Sequence, residues 1–175
     1  MLKAGNTPVL GFVAPSGTGK TTLLTRLLPL LKGHGLRVGV IKHAHHAFDT
    51  DIPGKDSYEL RKAGARQMLV ASRQRTALIT EHATDKEPVL TELLQALKHD
   101  SLDLVLVEGF KHTPYPKIEL HRQAMGQPLL YPHDTSIIAL ATDDATLAPL
   151  TLALLDIDNV QEMAGFVLAT LDQLR

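Results

Sequence analysis

The chain has 175 residues, 44% of them hydrophobic, enough for one domain with a sizeable core of its own. Its formal net charge of −1 leaves no broad electrostatic footprint for nucleic acid or a membrane surface, so any polyanion binding has to be local. Cysteine is absent, no apolar run approaches the roughly 18 residues that a membrane span requires, and the N-terminus lacks the long apolar core of a signal peptide; the expectation is a cytoplasmic protein.

Residues 9–13 have the continuous apolar character of a buried strand. Ala14, Pro15, Ser16, Gly17, Thr18, Gly19, Lys20 and Thr21 follow, matching the small-x-x-x-x-Gly-Lys-Ser/Thr pattern of a phosphate-binding loop, with Ala14 where glycine is usual. Leu23, Leu24, Leu27, Leu28 and Leu31 then recur at three- and four-residue spacing. They predict a helix that Pro29 kinks and Gly33-His34-Gly35 ends. Residues 37–43 read as a second strand, parallel to the first because a helix of this length between them makes a crossover.

His43-Ala44-His45-His46 and the acidic stretch 49–55 make a long loop, of the kind that often carries function. Asp56-Ser57-Tyr58-Glu59 reads as a capping box, with Asp56 as N-cap of a helix ending near Gly64. Two β-prone runs, 67–72 and 76–80, are joined by Arg73-Gln74-Arg75 and predict a hairpin that interrupts the βα rhythm. Residues 88–99 form a further amphipathic helix, and 102–107 a strand buried on both faces that ends in Glu108-Gly109-Phe110. Residues 117–122 alternate polar and apolar, the pattern of a half-exposed strand at a sheet edge. A buried strand at 136–141 ends in Thr142-Asp143-Asp144, a last strand covers 152–157, and Asn159 caps a final helix. The fold class is α/β: a P-loop NTPase-like, mostly parallel sheet with flanking helices, in a single domain spanning 1–175 with a hairpin insertion at about 67–80.

The loop residues suit a polyphosphate. Gly17 and Gly19 let the backbone curl so that its N–H groups converge, the following helix presents its positive end, Lys20 reaches the β- and γ-phosphates, and Thr21, followed by Thr22, would hold Mg²⁺. In an open parallel sheet the ligand sits outside the carboxyl ends of the strands. That rule gathers the loop, Lys42-His43, Glu108-Gly109 and Thr142-Asp143 into one cleft. Glu108 is then the candidate catalytic acid, meeting a Mg²⁺-bound water or orienting the attacking one, while Asp103 lies at the wrong end of its strand and reads as a cap. His43, His45 and His46 raise a zinc reading, but no cysteine or clearly spaced fourth ligand accompanies them, and a polar loop beside the nucleotide phosphates is the preferred account. Asp49 and Asp51 would complete the Mg²⁺ shell or else solvate the loop, and Asp56 would join that shell or else cap the helix. Asp143 is the candidate for reading guanine through N1–H and the 2-amino group, although the Asn-Lys-x-Asp signature is absent.

Residues 14–22, Ile-Lys-His-Ala-His-His at 41–46, 53–65 beginning Pro-Gly-Lys-Asp-Ser, and Leu-Val-Glu-Gly-Phe-Lys at 106–111 together closely resemble the MobB family of molybdopterin-guanine dinucleotide biosynthesis adapter proteins. The resemblance implies a homodimeric protein that binds GTP and Mg²⁺, with residues 14–22 on the phosphates and Glu108 at the acidic strand end. It also implies an accessory role to the nucleotidyltransferase MobA in attaching GMP to molybdopterin. Molybdopterin itself is a further candidate ligand; any GTPase activity would be slow. Two rivals stand beside it. One is a P-loop kinase for a small metabolite, with Arg73 and Arg75 as a lid, and the other is a module that binds GTP or pterin without hydrolysis.

Overall fold

The computed structural model describes residues 7–44, 48–147 and 151–174, and the side chains of all of these except Ala145. Two units are distinguished by their internal contacts, one made of residues up to His43 together with those from Pro88 onward, the other of Ala44–Glu87.

In the first unit the apolar runs become a six-stranded sheet. Its strands are β1 (Val9–Val13), β2 (Val38–Lys42), β5 (Leu104–Glu108), β6 (Lys117–His121), β7 (Ile137–Thr142) and β8 (Ala153–Asp156). The order is β2-β5-β1-β6-β7-β8 and every pairing is parallel. β1 and β2 run in the same direction as expected, but β5 lies between them. β1 and β5 are buried at all five positions, which is what a strand covered on both faces demands of its side chains. One face packs on α1 (Lys20–Gly33) and α4 (Val160–Leu174) through Leu27, Leu31, Ile118, Met163 and Val167. Leu27 and Leu31 are fully buried, each contributing about 2 kcal/mol of transfer free energy. The other face carries Val9, Val105, Val107, Phe110 and Tyr115 with Leu90 and Leu94 of α3 (Leu90–Gln95). α1 continues through Pro29, and α3 is shorter than its apolar periodicity suggests, giving way to a 3₁₀ turn at His99–Ser101. At the start of α4, Asn159 caps as expected, its Oδ1 accepting the Glu162 amide at 3.1 Å.

The strand expected at an edge is not there. β6 sits between β1 and β7, and both of its polar residues are buried, Lys117 completely and Glu119 to 1% exposure. The alternation that suggests one wet face instead reflects charges paired inside. Lys117 Nζ donates to Lys111 O and Thr113 O, each at 2.9 Å, and to Asp134 Oδ2; Glu119 accepts the amides of Leu130 and Tyr131 at 2.7 and 2.8 Å. The connection from β5 to β6 contains no helix. It crosses β1 where Gly11 leaves room: a Cβ there would lie 2.5 Å from Tyr115 Cε2.

The second unit contains α2 (Asp56–Lys62) and an antiparallel two-stranded sheet of β3 (Gln67–Ala71) and β4 (Thr76–Thr80), the expected hairpin. Arg61, 7% exposed, organises it by pairing with Asp49 at 2.7 Å, Asp51 at 3.5 Å and Glu81. The carboxyl of Asp49 is held below the usual carboxylate range by its bond to Arg61. Asp56 is not the N-cap. Lys55 takes that extended position with no side-chain cap bond, and Asp56 is already helical, where its charge still favours the helix dipole. Leu69, Val70 and Leu78 of the hairpin are exposed.

Candidate functional site

The loop between β1 and α1 has the conformation its glycines permit, with φ of 84° at Gly17 and 101° at Gly19, a region that side chains rarely adopt. No acidic residue occupies the first turn of α1, so the helix end stays favourable to an anion. Lys20 Nζ donates to the Ala14 and Pro15 carbonyls at 2.9 and 3.0 Å, which folds the side chain across the loop. Thr18 Oγ1 donates to Pro15 O at 3.0 Å.

Beside the loop, Thr21 Oγ1 lies 3.4 Å from both carboxylate oxygens of Glu108, and Lys42 Nζ lies 3.4 Å from Glu108 Oε2 and from Thr21 Oγ1. Burial lowers the pKa of Lys20, Glu108 raises it in part, and the neighbouring ammoniums of Lys42 and Lys111 lower it again; the net direction is down. Three lysines around one carboxylate leave a local positive excess on a chain of almost no net charge.

The strand end at Glu108 is fixed by its neighbours. Glu108 O accepts the His43 amide at 2.8 Å, Gly109 N donates to Phe12 O at 3.2 Å, and Gly109 O accepts Tyr115 Oη at 2.7 Å. Gly109 and Phe110 both have positive φ, 103° and 52°, the second a strained value for a bulky residue. Phe110 is held there by burial and by stacking on the His43 ring, 4.5 Å between centroids.

The structure therefore brings together the loop, Lys42-His43 and Glu108-Gly109. Asp143 follows β7, two strands beyond β1, and both its oxygens are engaged, one by the Gln123 amide at 2.8 Å and one by Arg122 at 3.2 Å. Arg122 also pairs with Asp158, and Met125 of the same segment reaches Thr18 Oγ1 with its sulfur at 3.5 Å. Asp143 thus anchors a segment that touches the glycine loop at Thr18. Asp49 is committed to Arg61, and among the described residues no group of three or more His, Asp or Glu side chains is placed to hold a metal ion. His45 and His46 lie outside the described residues. Sequence reasoning passed over Lys111, Tyr115, Lys117 and Glu119. For Lys117 and Glu119 the one visible signal is a pair of opposite charges two residues apart in a strand, on the same face.

The model of the family described as molybdopterin guanine dinucleotide synthesis protein B matches residues 9–143. The chain is similar to the molybdopterin-guanine dinucleotide biosynthesis adapter protein of Escherichia coli K12, at 52% identity over 169 residues covering 94% of each. It is 45% identical to that of Haemophilus influenzae over 163 residues, 91% of this chain and 87% of the relative. The crystal structure of Bacillus subtilis MobB superposes with a TM-score of 0.72 at 28% identity, covering 93% of this chain and 96% of that one.

Proposed function

Because the chain belongs to the molybdopterin guanine dinucleotide synthesis protein B family, we propose that it works as a GTP-binding adapter, holding GTP and Mg²⁺ at residues 14–22 for a MobA-type nucleotidyltransferase that joins GMP to molybdopterin. The role in molybdopterin guanine dinucleotide biosynthesis comes with that membership. The observation that supports nucleotide binding is the convergence of Lys20, Thr21, Lys42 and Glu108 where a glycine loop opens onto a free helix end.

Within this reading the loop amides and Lys20 bind the phosphates, and His43 supports the Glu108 corner from behind. The Thr21 hydroxyl and Glu108 carboxylate are the hard oxygen donors that Mg²⁺ prefers, and this ion takes one or two protein oxygens and completes its shell with phosphates and water. Mg²⁺ would neutralise phosphate charge there. Hydrolysis should be slow. Phe110 and Lys111 follow Glu108-Gly109 where many GTPases place a water-orienting Gln, and Arg122, which follows β6, is spent on Asp143 and Asp158. The exposed apolar hairpin supports a homodimer, since a two-fold partner can cover Leu69, Val70 and Leu78 and satisfy the open strand edges.

Calorimetric titration of GTP into the protein and into Lys20→Ala tests the site. The variant should fold normally and lose about 1.5–3 kcal/mol of binding free energy, the range for a hydrogen bond to a charged group. GTP affinity unchanged in the folded variant would refute the assignment. Single-turnover phosphate release should fall on the order of 10⁻⁴ to 10⁻² s⁻¹; a rate above about 1 s⁻¹, as kinases reach, would bring the small-molecule kinase forward.

A further inference from the structure

Buried charges are costly, and β6 carries two on one face. Ile118 and Leu120 point into the cluster with α1 and α4, so Lys117 and Glu119 point to the opposite side of the sheet. There they hold two chain segments. The Lys117 ammonium ties the 111–113 backbone to Asp134, and the Glu119 carboxylate ties down the backbone at 130–131. Closing two surface segments over a sheet needs only apolar contacts, and burying a charge is opposed by its lost hydration. What these charges do here is fix the backbone of both segments, and a binding site has to be held rigid before its ligand arrives.

Between these segments lies a cavity of about 350 Å³, lined by Lys111, His112, Thr113, Pro114, Leu130, His133 and Asp134. That is the size of a small-ligand site. Its polar lining is one-sided. Lys111, His112 and His133 offer cationic or donor groups, while the single acid, Asp134, is already engaged by Lys117, Ser136 N and Ser136 Oγ. Pro114 and Leu130 supply apolar wall against which a flat ring can lie. Lys111, in the cavity lining, stands two residues after Gly109 in the chain, and Glu108 before that glycine lies 3.4 Å from Thr21 Oγ1.

We propose that this cavity is the acceptor site, binding a pterin that carries a phosphate monoester, with Lys111, His112 and His133 on the phosphate and Pro114 and Leu130 against the ring. The proposal rests on the adapter reading for the identity of the ring. A dinucleotide is two phosphate-bearing halves joined through their phosphates, so the half that receives GMP presents a phosphate of its own. Lys117 and Glu119 are positioning residues for this site, acting through the backbone they hold.

The chain contains no tryptophan, so the intrinsic fluorescence of a pterin can be followed without interference. Fluorescence anisotropy of hydroxymethylpterin phosphate is measured with the wild-type protein, with the double variant His112→Ala/His133→Ala, with Lys111→Glu and with Lys20→Ala. All three cavity side chains are exposed and their loss leaves the core intact. Probe affinity should fall at least about tenfold in the histidine and Lys111 variants and persist in Lys20→Ala, as expected when hydrogen bonds to a charged group are lost. GTP affinity of the histidine variant should stay within about twofold of wild type, since neither histidine touches the loop. The proposal is overturned if the probe does not bind, if the cavity variants bind it as wild type does, if Lys20→Ala loses it and GTP displaces it, or if unphosphorylated hydroxymethylpterin binds equally well. Absence of GTP binding with the expected probe pattern intact would remove the nucleotide assignment and leave the cavity.

Discussion

Replacing Gly11 by alanine adds one methyl group in the middle of β1, where the β5–β6 connection crosses. An ideal Cβ there falls 2.5 Å from Tyr115 Cε2, 2.7 Å from Tyr115 Oη and 2.8 Å from Lys117 Cγ. Non-bonded carbons rest at about 3.5–4 Å, so the ring must retreat by about 1 Å. It has nowhere to go, being 2% exposed, with its hydroxyl bonded to Gly109 O at 2.7 Å. Overpacking costs about 1–3 kcal/mol. Losing the tyrosine bond leaves the partly buried Tyr115 hydroxyl and Gly109 carbonyl unpaired, for about 1–3 kcal/mol more. The expected destabilisation is about 2–6 kcal/mol, which at an m of about 2 kcal/mol/M reads as a drop of roughly 1–3 M in the urea midpoint followed by circular dichroism. Gly165→Ala is the matched control. That glycine is an exposed position inside α4 where an added methyl would meet nothing within 4 Å, so the same substitution should stabilise by about 0.5–1 kcal/mol. A Gly11→Ala midpoint at or above wild type would refute the packing of Tyr115 across β1.

Asp143→Ala should cost about 1–2 kcal/mol of stability, because the Gln123 amide and Arg122 lose their acceptor; competition titration then separates the two readings, loss of GTP but not ATP affinity marking guanine contact and equal loss marking a purely structural acid. Acid should weaken the fold through the same network. Bonds to the Gln123 amide and Arg122 for Asp143, and to Arg122 for Asp158, hold both carboxyls below their ordinary range. Their contribution is present above the unfolded pKa and is lost as pH falls through the folded one, so urea midpoints should decline from about pH 5 downward; a midpoint constant to pH 3 would contradict this. Shortening the hairpin by removing Arg73, Gln74 and Arg75 should give a monomer in sedimentation velocity, and a persistent dimer would place the interface elsewhere.

The loop and the helix after it were legible because their residue types are dictated by local conformation: two glycines at positive φ, then leucines on one side of α1. The hairpin and the Asn159 cap were legible for the same reason. β6 was not, because alternation reports only that every second side chain is polar. Whether those polar atoms meet water or partners from residues 111–113 and 130–134 depends on contacts distant in sequence. Asp143 illustrates the same limit at the site. Its place at a strand end followed from the apolar run before it, whereas its engagement by Arg122 and Gln123 depends on how the chain leaves the neighbouring strand. Asp56 missed by one position, the difference between an extended Lys55 and a helical Asp56, which a capping pattern alone does not fix.

β2 and β5 pair directly, from Val38 with Leu104 to Lys42 with Glu108, although the whole of Ala44–Glu87 lies between them in the chain. Loop-closure entropy grows only with the logarithm of length. Bridging those strands with roughly sixty residues rather than roughly twenty therefore costs about 1 kcal/mol. Strand pairing is almost indifferent to what is inserted there. A segment that leaves after His43 and returns before α3 can change in length or content while Lys42 and Glu108 keep their register, so the hairpin's exposed surface can diversify without retuning the residues beside the glycine loop.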